Sequence, residues 1–253
     1  MRSVHLLAPL IGFGLLLTAC PSDKHRIGTG ELGKGDLHIV CTDDDAACVP
    51  GEQRIAATHP IAVGASFAVA YAGPIPKAAT GAQSTAILFS GSPEMFSRDD
   101  DRFSAWLPGT GALLVRTDQG TVLDFVHLRI ADVERIELNC ATKQLVVGQE
   151  LVCDATPFGS EALLSNPDQS NPDQSNTGQP NGEQPSNTSS GTPGNTLAGS
   201  LNYLWNVEGT AVEIVKKESR FVTLIAKEAG DATLQASSGD AMGEAIFRVE
   251  VAP

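Results

Sequence analysis

A hairpin pattern that occurs twice constrains the fold of this chain more than any other feature. Near the C-terminus Ala232, Leu234 and Ala236 alternate with Thr233, Gln235 and Ser237. Ala245, Phe247, Val249 and Val251 then alternate with Glu244, Arg248 and Glu250, with Ile246 on the polar phase. Side chains of an extended strand point to opposite faces in turn, so this alternation buries one face of a sheet, and Ser237-Ser238-Gly239-Asp240 between the runs is a turn. A shift of 119 residues lays the same plan on an earlier stretch: Gly111 on Gly230, Val115 on Leu234, Gly120 on Gly239, Val126 on Ala245, Leu128 on Phe247 and Ile130 on Val249. Upstream, Ile61-Ala62-Val63-Gly64-Ala65-Ser66-Phe67 matches Leu145-Val146-Val147-Gly148-Gln149-Glu150-Leu151 at a shift of 84. The difference, 119 − 84 = 35 residues, is an insertion in the second copy. Helix signals are scarce, so one all-β plan is written twice.

The insertion is visible in composition. Ser165-Asn166-Pro167-Asp168-Gln169 is followed by an identical pentapeptide at 170–174, and Asn, Ser, Pro, Gly, Thr and Gln dominate to Thr196. Such a stretch buries too little apolar surface to offset roughly 1–2 kcal/mol of backbone entropy per ordered residue. A disordered insertion over about 160–198 is expected, tolerated because closure entropy grows only logarithmically with loop length. Without it each copy has around the hundred residues of an immunoglobulin-type sandwich.

The second copy resembles bacterial Ig-like domains in Val147-Gly148 before the strand from Glu150 to Ala155, in Trp205 within Tyr203-Leu204-Trp205-Asn206-Val207, and in Gly230-Asp231-Ala232-Thr233-Leu234-Gln235-Ala236. The resemblance implies a β-sandwich over 135–253 with Trp205 in its core. The first copy, 37–134, is divergent: Ala86 stands at the position equivalent to Trp205, and Trp106 falls elsewhere. Two Ig-like β-sandwiches in tandem are expected.

The N-terminus carries an address. Arg2 precedes an apolar run from Leu6 to Leu17, the short basic head and roughly 7–15-residue apolar core of a signal peptide. That run is too short to span a bilayer, which takes about 20 apolar residues. Leu17-Thr18-Ala19-Cys20 directly after it resembles a bacterial lipobox. The resemblance implies cleavage of residues 1–19 and acylation of Cys20, which would be the membrane partner's anchor. Pro21 rather than Asp follows, which by the same resemblance points to the outer membrane. Residues 20–36, with Gly28, Gly30, Gly33 and Gly35, read as a flexible tether of roughly 22 Å r.m.s. reach.

Charge and cysteines narrow the function classes. The chain has 17 Lys plus Arg against 30 Asp plus Glu, and loss of Arg2 leaves 16 − 30 = −14. Nucleic acid and anionic lipid surfaces select for basic chains, so no nucleic-acid partner is expected. Besides Cys20 there are Cys41, Cys48, Cys140 and Cys153, and export permits disulfides. Three connectivities are open, of which proximity in sequence favours Cys41 with Cys48 and Cys140 with Cys153. The spacings contain no CxxC or paired histidine motif that would suit zinc.

Chemistry-bearing motifs are lacking. His5, His25, His38, His59 and His127 form no ligand spacing, and neither a GxSxG elbow nor a P-loop occurs. His127 and Asp124, three apart on one strand, point to opposite faces. Asp43-Asp44-Asp45 and Asp99-Asp100-Asp101 are acidic loops that lack the spaced calcium-loop pattern, and Trp106 is the one aromatic free to stack on a sugar. No catalytic, cofactor or metal residue is assigned. The expectation is a non-catalytic, envelope-anchored lipoprotein with an adhesive or scaffold role, meeting an envelope or surface protein or glycan. The rival is an accessory lipoprotein that binds calcium, glycan or peptidoglycan.

Overall fold

The computed structural model describes residues 30–77, 84–160 and 196–252. The expected signal peptide, Cys20, the tether up to residue 29 and the insertion over 161–195 lie outside the described residues.

Strands account for all the regular structure described. In the first copy they are β1 (Asp36–Val40), β2 (Arg54–Ala56), β3 (Ile61–Ala62), β4 (Ser66–Ala72), β5 (Ala86–Ser90), β6 (Phe96–Asp99), β7 (Arg102–Ala105), β8 (Gly109–Thr117) and β9 (Val122–Ala131). The second holds β10 (Arg135–Cys140), β11 (Gln144–Val146), β12 (Glu150–Phe158), β13 (Leu204–Glu208), β14 (Val212–Lys217), β15 (Phe221–Ala226), β16 (Gly230–Ser238) and β17 (Ala241–Glu250). The second copy pairs a β10-β12-β15-β14 sheet with a β11-β17-β16-β13 sheet. That is the immunoglobulin order, with one sheet of strands A, B, E and D and another built on C, F and G. The first copy repeats it as β1-β4-β7-β6 and β3-β9-β8-β5, with β2 added on the free edge of β1. The chain is thus all-β, with two Ig-like sandwiches.

Register makes the duplication concrete. Ile61 lies beside Ile130 in the parallel pair β3 and β9, and Leu145 beside Val249 in β11 and β17, so the shifts of 84 and 119 meet in one contact. The hairpins differ in one respect. β9 and β17 are 119 apart, but β8 and β16 are 121 apart, because a four-residue turn, 118–121, stands where the second copy has the two residues 239–240. A step of two leaves every side chain on its own face, which is why the gapless alignment matched both apolar phases. Gly109 and Gly230 are the true counterparts, with φ of 138° and 150°, a region closed to most L side chains.

The tryptophan moves as well, because the stretch from β5 to β8 is four residues shorter than that from β13 to β16. Trp205 pairs with Ala236, whose counterpart Val115 pairs with Leu88, so Leu88 rather than Ala86 occupies the Trp205 position. The first core compensates with Phe67, Phe96 and Phe103, all buried, with ring centroids 5.6–6.3 Å apart. Trp205 is buried against Tyr203 in the second.

Both disulfides are present. Cys140 and Cys153 face one another on β10 and β12, with Cα atoms 4.4 Å apart, and Cys41 and Cys48 close a loop after β1. The tether differs from expectation in its last part. Residues 30–35 wind around the buried Asp124 carboxylate, which accepts the peptide N–H groups of Leu32, Lys34 and Gly35 at 2.8–2.9 Å. A fully buried carboxylate demands such donors, and the glycines allow the backbone to approach it. Glycine content alone does not reveal that residues 30–36, expected within the tether, belong to the folded part.

Phe103 touches both other rings of its cluster. Phe103→Ala is expected to cost about 3–5 kcal/mol, read as a lower midpoint in urea unfolding.

Candidate functional site

The densest set of buried polar contacts lies where the sandwiches meet. Three residues, 141–143, join β10 to β11, but twenty, 41–60, join β1 to β3. That longer connection holds the Cys41–Cys48 loop and β2. Opposite it, the chain returning from the insertion runs along the first sandwich. Ala198 bridges Ile61, and Ser200 bridges both Ser66 and Asp45. Ala62 N–H donates to Ala198 O at 3.0 Å, Ala198 N–H to Pro60 O at 2.8 Å, and Ser66 and Ser200 exchange two peptide hydrogen bonds of 2.9 and 2.8 Å. Leu197, Ala198 and Leu201 are buried beside them. Residues 196–198, expected within the insertion, are therefore ordered strand-like backbone: Leu197 and Ala198 are apolar, and the polar composition ends just before them.

Asp45 is the polar centre of this seam. It is 2% exposed. Its carboxylate accepts Gly199 N–H at 2.9 Å and Ala47 N–H at 3.0 Å, and its carbonyl accepts Arg220 Nη1 at 3.3 Å. Arg220 also holds Asp154, at 3.1 Å. Burial raises the Asp45 pKa from its ordinary value, against the opposing effect of the Gly199 and Ala47 N–H groups. Burial likewise raises that of Tyr203. Arg102 closes the far side, with Nε on Ser66 Oγ at 2.6 Å and Nη2 on Ser66 O at 3.0 Å and on Ser200 Oγ at 3.3 Å. His59 Nε2 lies 2.8 Å from Thr196 O. These groups hold backbone; none presents a nucleophile and base together.

The other sequence candidates scatter. Asp43 and the 99–101 run are exposed, and no group of three or more His, Cys, Asp or Glu suited to a metal occurs among the described residues. Trp106 is 43% exposed, its indole N–H donating to Glu94 O at 2.9 Å. His127 is exposed and paired with Glu31 at 2.6 Å, on the face opposite Asp124. His38 lines a cleft with Val40, Cys41 and Arg54; burial first, then Arg54, lowers its pKa. Asp45 was legible only as part of an acidic run. The available signal was its place beside Ala46 and Ala47 inside a short cysteine-closed loop, an unusual setting for a solvated acid.

Sheet edges are also managed alike in both copies. Arg98 Nη1 donates to Leu88 O at 2.9 Å, and Lys217 Nζ donates to Trp205 O at 2.8 Å. Leu88 and Trp205 are equivalent positions on the edge strands β5 and β13. A cation on an edge carbonyl occupies an acceptor that an added strand would need.

No protein-family model and no curated protein sequence matches the chain. Among solved structures it is similar to domains 4–9 of surface layer protein SbsC, with 14% identity, 86% of this chain and 30% of that chain covered, and a TM-score of 0.31. Invasin, a bacterial integrin-binding protein, gives 11% identity, coverage of 88% and 41%, and a TM-score of 0.32. The Yersinia pseudotuberculosis adhesin InvE gives 11%, 77% and 57%, and 0.29. The chain thus spans well under half the length of the first two. The architecture rests on the strand order itself.

As its pKa is raised, Asp45 takes up a proton in the folded chain at a pH where the unfolded chain does not. Its contribution to stability therefore grows as pH falls through the interval above the ordinary 3.8, and is lost as pH rises through the folded value. A carboxyl carbon NMR titration is expected to place its midpoint above 3.8. Asp45→Asn turns an amide NH₂ towards one of two peptide donors and should cost about 1–3 kcal/mol by denaturant unfolding.

Proposed function

We propose that this chain is a lipid-anchored, non-catalytic protein of the cell envelope whose two sandwiches form one projecting stalk with an adhesive or scaffold role. The observation that carries the reading is the head-to-tail seam. The residues leading in from the N-terminus are held at Asp124, near the start of β9. The far end of that strand, at Ile130 and Ala131, meets β3 at the seam, about 20 Å along at 3.3 Å per residue. The second sandwich continues away: β10 starts near the seam, and β17 ends beside Val146 at the opposite end. Entry at one end and exit at the other is the geometry of a spacer. Acyl chains on Cys20, each buried CH₂ contributing about 0.8 kcal/mol, would fix the entry end to the membrane. The boundaries proposed are a signal peptide to residue 19, a tether from Cys20, and sandwiches meeting near residue 134, with an outer-membrane location.

The partner proposed is a protein or glycan of the envelope or cell surface. The blocked carbonyls of β5 and β13 favour contact through loops and sheet faces over strand addition at those two edges. Leu204, Met242 and Ile246 are exposed together on the outer face of β13 and β17.

Envelope fractionation with protease shaving of intact cells tests the reading. The native chain should sediment with the outer membrane, and Cys20→Ala should appear in the soluble fraction. Soluble native chain, or a Cys20→Ala variant still bound to membrane, would contradict the anchor; shaving separates a surface from a periplasmic face.

A further inference from the structure

The seam brings together a disulfide-closed loop, a buried carboxylate and a returning strand in a way that a mere contact between neighbours does not require. The loop from Cys41 to Cys48 is no regular element. It is held internally by Asp45 N–H on Thr42 O at 3.0 Å, Cys48 N–H on Asp45 O at 3.2 Å and Ala47 N–H on the Asp45 carboxylate. The disulfide closes this loop around Asp45. From there Asp45 takes the Gly199 N–H with its carboxylate and Arg220 with its carbonyl, both belonging to the second sandwich. Gly199 has φ of 95°, and a Cβ there would lie 2.7 Å from the Ala65 Cβ, so the returning strand fits the first sandwich only as glycine.

We propose that the Cys41–Cys48 disulfide is the catch of an interdomain clasp, stiff when oxidised and released by a dithiol reductant. The two disulfides differ in access. Cys41 and Cys48 are half-buried and line a cleft of about 370 Å³ at the seam, together with Asp43, Glu52 and Arg220. In the second bridge Cys140 is half-buried too, but among the described residues it lines no such cleft, and Cys153 is fully buried within its sheet. The first bridge thus offers a reductant thiolate two approachable sulfurs in an open cleft against one in the second, so it is the one expected to be reduced first. In the reaction the S–S bond breaks, Cys41 and Cys48 each become a thiol, and the reductant's two thiols become its own disulfide, with two electrons and two protons transferred. The reduced loop is free to leave the turn that holds Asp45. Gly199 N–H then loses its acceptor and Arg220 one of its two, keeping Asp154, while both hydrophobic cores and the Cys140–Cys153 bridge stay intact. The device makes the angle between sandwiches depend on redox state, and it holds whether or not Cys20 is acylated.

Hydrogen exchange with mass spectrometry on the full chain tests this without any substitution. The protein is exchanged oxidised, then after mild dithiothreitol, with alkylation and peptide mapping identifying which cysteines were reduced. Alkylation is expected at Cys41 and Cys48 first, with exchange over 196–203 and 61–66 rising at least about tenfold and that of β16 and β17 unchanged. Gly199→Val should produce the same seam exchange in the oxidised protein. The proposal is overturned if the seam stays protected with Cys41 and Cys48 alkylated, if Cys140 and Cys153 are alkylated first, or if β16 and β17 lose protection together with the seam.

Discussion

Backbone hydrogen bonds across the seam are the constraint on which the arrangement of the two sandwiches depends. Ser66 and Ser200 pair as neighbouring strands do, and Ala62 and Ala198 continue the contact. Peptide groups buried between domains must find partners, and here each sandwich supplies what the other lacks. Side-chain contacts then fill in around this frame: Arg102 on Ser66 and Ser200, His59 on Thr196, Asp45 on Gly199. Interdomain contacts of ordinary polar kind leave relative motion as the default. Shared backbone pairing restricts that motion for as long as the returning strand is held in register, which is what Asp45 does at Gly199.

Much of the fold was legible because it rests on period two. The alternation in β16 and β17 fixes which face is buried, and Ile246, on the polar phase, is indeed 65% exposed. The repeat was legible for the same reason. A two-residue change in the turn before β9 preserves facing, so a gapless alignment of the sequence found both hairpins while misplacing β8 against β16 by two residues. Ala86 stood where Leu88 belongs for a separate reason: Leu88 and Val115 are 27 residues apart but Trp205 and Ala236 are 31 apart, so the shift there is 117.

What composition hid was order imposed by tertiary contact. Residues 30–35 have the glycines of a linker, yet three of their peptide groups are committed to Asp124, a residue 89–92 positions away. Local composition carries no record of so distant an acceptor. Asp45 was hidden in the same way: within Asp43-Asp44-Asp45 the side chains are chemically identical, and only the fold of the disulfide loop turns one inward and leaves Asp43 exposed.

The two places where the copies depart most from each other supply described residues that touch one another, in 41–60 of the first and 196–200 of the second. In the first, twenty residues replace a three-residue connection; in the second, a long insertion replaces the shorter link between the equivalents of β4 and β5. Two sandwiches built on one plan have no intrinsic reason to adhere, since each already satisfies its own core and sheets. A joint requires something added to each. Here the additions are complementary in kind: a covalently closed loop that presents an acceptor, and a returning strand that presents peptide donors. Stiffness between the domains is thus located in the non-repeated part of the sequence, and changes in the repeated cores alter each sandwich's stability more than the angle between them.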